Sequence, residues 1–308
     1  MLEGMSELIL HHYDLSPYAE KIRLALGFKG MRWHSVQTPM VLPKPDHFEL
    51  TGGYRRVPVL QIGADIYCDS HLITRVLDEI QPEPPLSPPG LETVSHAVSR
   101  WAETSFMMLI NAFFGIGRVF PEEFVDDRRK NMIPPTMNLD AAPKILGTKL
   151  LQLRSNVMRL EGMLEDGRPY LLGETLSASD LSAYHPIMMF GLHKKTRALL
   201  EGASQVQAWT ARVRETGHGS PSPLDVAEAI AVAKAAEPKA FAGEPVLPEG
   251  MKIGDRVIVI HDDYGSGNVT GLLAESGLDE IAIRRKTERA GEVVVHFPRA
   301  DYGVMSID

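Results

Sequence analysis

Between Gln81 and Gly90 the chain reads Gln81-Pro82-Glu83-Pro84-Pro85-Leu86-Ser87-Pro88-Pro89-Gly90, five prolines in ten residues. Proline has no amide donor, and it biases the residue before it away from helix, so neither a helix nor a central strand crosses this stretch. The chain is thereby divided into parts that must fold around separate elements. On the amino-terminal side Glu7 to Tyr13 is strand-like, and Pro17 to Phe28 reads as a helix with Ile22, Ala25 and Leu26 on one face. Val57 to Gln61 and Ile66-Tyr67 flank Gly63-Ala64-Asp65 as a hairpin, and Ser70 to Ile80 carries Leu72, Ile73, Val76, Leu77 and Ile80 at helical spacing. The order is βα, a loop-rich middle, then ββα.

Beyond the prolines the pattern changes to long helices, Leu91 to about Gly117 and Lys144 to Glu165. The segment Pro121 to Pro143 between them has little periodicity and reads as a lid, since loops of that length are usually functional. Ser177-Ala178-Ser179-Asp180 has the form of a capping box, opening a helix that runs to about Leu192. Ser220-Pro221-Ser222-Pro223 begins a connector with one alanine-rich helix, Leu224 to Ala236. After Pro248 the residues become strand-like at Arg256–Ile260, Asn268–Thr270, Ile281–Ile283 and Glu292–Phe297, which predicts a small antiparallel barrel or open sheet. A chain of 308 residues also exceeds the ~100–150 of a usual domain. The expected division is therefore 1–82 (α/β), 91–216 (all-α), 217–248 (helical connector) and 249–308 (mostly β).

Composition narrows the functional classes. A net charge of −8 gives no general attraction for nucleic acid or anionic lipid. Arg284-Arg285-Lys286 and Arg289 form a basic edge on the terminal strands, but no array of aromatics accompanies them, so a solvated face is the preferred reading over nucleic-acid binding. The single cysteine, Cys68, excludes an intrachain disulfide and a Cys-x-x-Cys pair, and reads as a small buried hydrophobe. His11 and His12 are adjacent on a strand and point to opposite faces, so no metal site is expected there. No apolar run of about 18 residues is present, and no membrane span or leader is expected; a cytoplasmic protein is the default.

Three short motifs carry chemistry. Ser16-Pro17-Tyr18 lies where the first strand meets the first helix. Ser16 followed by Pro17 is a favoured helix start, yet a capping hydroxyl still has a proton to donate, and it faces the positive end of the helix dipole. Arg56-Val57-Pro58-Val59 puts a proline at a strand entry, either as an ordinary edge residue or in a cis turn. In the cis form Val57 would present backbone groups to a peptide-like ligand. Asp69-Ser70 opens the helix after the hairpin. Capping explains it, and so does an α-amino acid head group, whose carboxylate suits helix amides and Ser70 and whose ammonium suits Asp69.

Taken in order, the strand, the Ser16-Pro17-Tyr18 helix start, the Val57-Pro58 turn, the hairpin, Asp69-Ser70, the proline linker and the helical part with Ser177-x-x-Asp180 resemble the cytosolic glutathione S-transferase family over residues 7–215. The resemblance implies a thioredoxin-like domain followed by an all-helical domain, a cis Val57-Pro58 bond, glutathione as co-substrate, a small electrophile as partner substrate, and a homodimer. It aligns Ser16 with the serine that activates the thiol in serine-type members. Arg56, Val57, Pro58, Asp69 and Ser70 then hold glutathione, with Arg55 or Arg56 facing its glycyl carboxylate. Tyr18, Phe106, Met107 and Asn111 are the candidates for the wall of an electrophile pocket. Asp69 stands where members more often carry Glu, and Leu50 to Arg56 replaces the commoner Asn-Pro approach. A non-catalytic binding module, whose terminal sheet recruits a partner, is the alternative.

Overall fold

A computed structural model describes residues 7–133, 139–241, 244–262 and 267–307. The amino-terminal part contains β1 (Leu8–His12), α1 (Pro17–Phe28), β2 (Arg32–Gln37), α2 (Pro45–Thr51), β3 (Val59–Ile62), β4 (Asp65–Cys68) and α3 (Ser70–Ile80). The first and third helices have the predicted bounds. Each begins on a polar cap: Ser16 Oγ accepts from Ala19 N–H at 3.2 Å, and Asp69 Oδ1 accepts from His71 N–H at 2.8 Å. The middle is less loop-rich than periodicity indicated. Strand β2 pairs parallel to β1, and α2 starts on Pro45 and ends at Gly52, whose φ of 75° suits a residue without a Cβ.

The helical part holds α4 (Glu92–Met107), α5 (Leu109–Ile116), α6 (Glu122–Asn131), α7 (Ala142–Met163), α8 (Ala178–Met188), α9 (Lys194–Arg197) and α10 (Ser204–Glu215). The helix anticipated from Leu91 to Gly117 is broken at Met108, because its two halves pack on different partners, α4 on α8 and α5 on α7. Within the expected lid, α6 is a formed helix; residues 134–138 of that segment lie outside the described residues. The capping box at Ser177 is present, and Asp180 does more than cap. Its buried carboxylate accepts from Leu171 N–H, Ser177 N–H, Ser177 Oγ and Trp209 Nε1 at 2.7–2.9 Å, joining α8 to α10 and to the turn before it.

The chain then returns to the first sheet. Strand β5 (Ser220–Pro223) pairs parallel to β2, and α11 (Val226–Ala235) follows. The return is tight: a Cβ on Gly27 would stand 2.0 Å from Gly217 O, so α1 and the returning chain touch backbone to backbone. The last strands are β6 (Arg256–His261), β7 (Val269–Ser276), β8 (Glu280–Thr287), β9 (Gly291–Pro298) and β10 (Tyr302–Ser306). They do not close into a barrel. Strand β9 pairs parallel with β4, so all the strands join one ten-stranded open sheet in the order β10-β6-β7-β8-β9-β4-β3-β1-β2-β5.

Side-chain alternation explains how one sheet serves two cores. Leu8, Leu10, Leu60 and Tyr67 point to the face covered by α1 and α3, in a core continuous with the helical domain through Phe106, Leu160, Tyr184 and Trp209. Val59, Ile66 and Cys68 point the other way, where they pack with Ile230 and Ala233 of α11 and with Val257, Ile283, Val295 and Phe297 of the terminal strands. Ile9 and Val36 meet Ala229 on that same side. The carboxyl-terminal strands thus share their core with the first domain.

Candidate glutathione site

Ser16 is 1% exposed, and the only hydrogen bond of its hydroxyl among the described residues is the one accepted from Ala19 N–H, so the hydroxyl proton is uncommitted. The Val57-Pro58 bond is cis. No backbone hydrogen bond engages Val57 among the described residues, leaving its N–H and C=O available to an extended ligand. Asp69 caps α3 with φ at 80°, a left-handed conformation that a non-glycine residue holds only where its surroundings enforce it. Ser70 follows in the first helical turn, where amides have no intrahelical acceptor.

Beneath Ser70 lies a charge network that the motifs alone do not reveal. Lys21, fully buried, donates from Nζ to Glu103 Oε1 at 2.8 Å and to Ser70 Oγ at 3.3 Å. His71 Nε2 meets the other oxygen of Glu103 at 2.8 Å, and His185 Nε2 of α8 stands 3.6 Å from the first. Burial alone would push the Glu103 carboxyl up, but the Lys21 charge, His71 and His185 outweigh it and hold it well below the usual range. One carboxylate therefore ties α1, α3, α4 and α8 together beneath Ser70. The sequence signal for it was a lysine at an otherwise apolar position, three and four residues before the buried Leu24 and Ala25.

A second network closes the opposite end. Asp127 of α6 binds Arg55 NH2 at 2.5 Å through Oδ2, which also pairs with Arg128, and accepts from Leu42 N–H at 3.2 Å through Oδ1. Arg128 NH2 also donates to Tyr13 OH and Met40 O, at 3.2 and 3.1 Å. Lys44 Nζ donates to Arg55 O at 3.0 Å and stands over the Tyr13 ring. Burial, then Arg128 and Arg55, pull the Lys44 ammonium down to about 7. Helix α6 is thus strapped across the β1–α1 loop that carries Ser16. Arg55 is the buried arginine of the pair in Arg55-Arg56, and Arg56 is half-buried.

The other predicted residues are scattered. Tyr18 is half-buried on α1 with its ring 4.5 Å from that of His185. Phe106 has no exposed surface and packs edge-on to Trp101 and Phe190, which makes it core rather than wall. Asn111 is half-buried on α5, past the break at Met108. The Met107 side chain lies outside the described residues. Cys68 is buried, and burial raises its thiol well above the ordinary value. Among the described residues no cluster of three or more His, Cys, Asp or Glu is placed to hold a metal, and no helix is long and apolar enough to cross a membrane.

A thioredoxin-like domain, with a capped serine at its first helix and a cis proline entering its third strand, followed by an all-helical domain, is the architecture of the glutathione S-transferases. Comparison with known proteins agrees. Residues 10–85 match the family described as glutathione S-transferase, N-terminal domain. Glutathione S-transferase Z1 of Arabidopsis thaliana is 35% identical over 94 residues, 29% of this chain and 41% of that protein. The chain spans about two fifths of the length of the curated relatives it matches. The crystal structure of a GST-like protein from Pseudomonas syringae superposes with a TM-score of 0.81 at 37% identity, over 98% of this chain and 100% of that one. A glutathione-bound glutathione S-transferase from Methylobacillus flagellatus shares the fold, with a TM-score of 0.53 at 18% identity over 70% of this chain and 100% of that one. The chain belongs to the glutathione S-transferase family, and carries in addition a strand-rich carboxyl-terminal part.

Proposed function

We propose that the chain is a glutathione transferase-type enzyme in which the Ser16 hydroxyl donates a hydrogen bond to the sulfur of bound glutathione and so stabilises the thiolate left when the thiol proton passes to solvent. The observation that carries the reading is the buried Ser16 hydroxyl at the start of α1, which accepts from Ala19 N–H while its own proton is free. The Val57 backbone suits the cysteinyl peptide groups of the ligand. Asp69 and the α3 amino terminus suit the ammonium and carboxylate of its glutamyl end. A free thiol has a pKa near 8.5, and lowering it by about two units corresponds to about 2.7 kcal/mol of differential stabilisation. One hydroxyl donor with helix amides in a water-poor site is of the right size for that. The thiolate then attacks a small electrophile: a carbon–sulfur bond forms and the leaving group departs with the displaced electron pair, or the electrons move onto an acceptor atom where the electrophile adds.

The test is retention on immobilised glutathione followed by ultraviolet titration of the bound thiol. The wild-type chain binds and shows a depressed thiol pKa; in Ser16→Ala the shift disappears and turnover of a model electrophile falls at least tenfold, with binding kept within a few-fold. Binding without a shift in the wild type overturns the catalytic reading and leaves a glutathione-binding module. A cytoplasmic homodimer is the assembly implied by family resemblance, and light scattering on the full chain tests the dimer.

A further inference from the structure

The last strand of the chain reaches the ligand site. Tyr302, on β10, is 4% exposed, and its hydroxyl stands 3.4 Å from Asp69 Oδ2 and 3.4 Å from the hydroxyl of Tyr54. A phenol has one proton, so the consistent arrangement is a relay: Tyr54 donates to Tyr302, and Tyr302 donates to Asp69. The other Asp69 oxygen is occupied by His71 N–H. The carboxylate is thereby held from both sides, by its own helix and by a strand more than 230 residues away.

The position of Tyr302 is itself built. Its ring packs against Phe297 of β9 and edge-on to His261 of β6, at 5.4 and 4.5 Å between centroids. Asp301, immediately before it, holds a φ of 71° and binds Arg100 of α4 at 2.8 Å, while its carbonyl accepts from Asp262 N–H at 2.8 Å. The turn before β10 is therefore pinned to the helical domain on one side and to β6 on the other. Two aspartates with left-handed backbone, Asp69 and Asp301, flank the same tyrosine, and such conformations persist where several contacts converge.

We infer that Tyr302 is a positioning residue of the glutathione site: it fixes the Asp69 carboxylate toward the ligand ammonium, so the carboxyl-terminal strands complete the glutamyl end of the pocket within a single chain. This rests on the glutathione reading above. The function of the added strands is then structural for the ligand site.

The test is isothermal titration of the full chain with glutathione and with its analogue lacking the glutamyl amino group. Tyr302→Phe removes one oxygen and keeps the ring contacts with Phe297 and His261. It raises the Kd for glutathione about five- to tenfold and leaves the Kd for the deaminated analogue within twofold. Asp69→Asn gives the same ligand pattern, and adding Tyr302→Phe to it changes nothing more, because the tyrosine acts through the aspartate. Equal losses on both ligands, or additive losses in the double variant, overturn the role of Tyr302 while glutathione binding stands. Failure of the wild type to bind either ligand overturns the glutathione reading and this inference with it.

Discussion

At the scale of single residues, the site rests on polar groups placed where an apolar core would otherwise run. Glu103 is the clearest case, since Lys21, His71 and His185 all converge on one buried carboxylate. Its folded pKa lies below the unfolded value of about 4.3, so its contribution is complete above that pH and is lost as pH falls through the depressed folded value. Glu103→Gln leaves the Lys21 ammonium buried without its counter-charge. The expected loss is about 3 kcal/mol at neutral pH in urea unfolding, and the gap to the wild type should narrow in acid. A gap that stays constant down to pH 3 would show that the carboxylate charge is not what stabilises this junction. Ser16, Asp69 and Ser70 were visible in the sequence because helix caps are local: the residue type, its place before an apolar stripe and a proline at N1 define them. Lys21–Glu103 spans α1 and α4, and no local pattern joins two residues that distant.

At the scale of elements, α1 and α3 were predicted with their observed ends because periodicity and caps coincide there. Strand β2 and helix α2 were not, since Arg32 to Gln37 mixes exposed and buried residues without strict alternation, and α2 is only seven residues long. Helix α6 escaped for a related reason: it is strongly polar, and it owes its place to the ion pairs of Asp127 and Arg128 rather than to an apolar face. The contact between α1 and the returning chain carries a prediction of its own. Gly27→Ala forces a methyl into the Gly217 carbonyl, and relief requires moving either α1 or the segment that leads into β5. The expected cost is about 2 kcal/mol or more, read as a lowered thermal midpoint. An unchanged midpoint would mean that the returning segment yields freely.

At the scale of the whole molecule, one hydrogen-bonded sheet makes the amino- and carboxyl-terminal parts a single layer, and His296 is its staple. The ring stacks on Tyr67 at 4.4 Å and lies between Asp65 at 2.9 Å and Glu280 at 2.5 Å, where β9 pairs with β4. Burial opposes its charge, but the two carboxylates prevail and its pKa is raised. A raised folded pKa means that the stabilisation is fully present below about 6.5, the unfolded value, and is lost as pH climbs through the folded one. Limited proteolysis after β5 should therefore accelerate as pH rises beyond about 6.5 for the wild type, and show no such pH dependence in His296→Gln. The same rate at every pH in the wild type would remove the staple. By itself the sequence determined the strongly patterned elements such as α1 and α3, the break at the prolines, the caps and the family, because these depend on residues close together along the chain. Only the tertiary structure decided that the terminal strands extend the first sheet, that α6 is strapped across the site, and that Tyr302 meets Asp69. Strand edges pair through backbone groups common to every residue, so the side chains that record the periodicity carry no mark of which edge will be chosen.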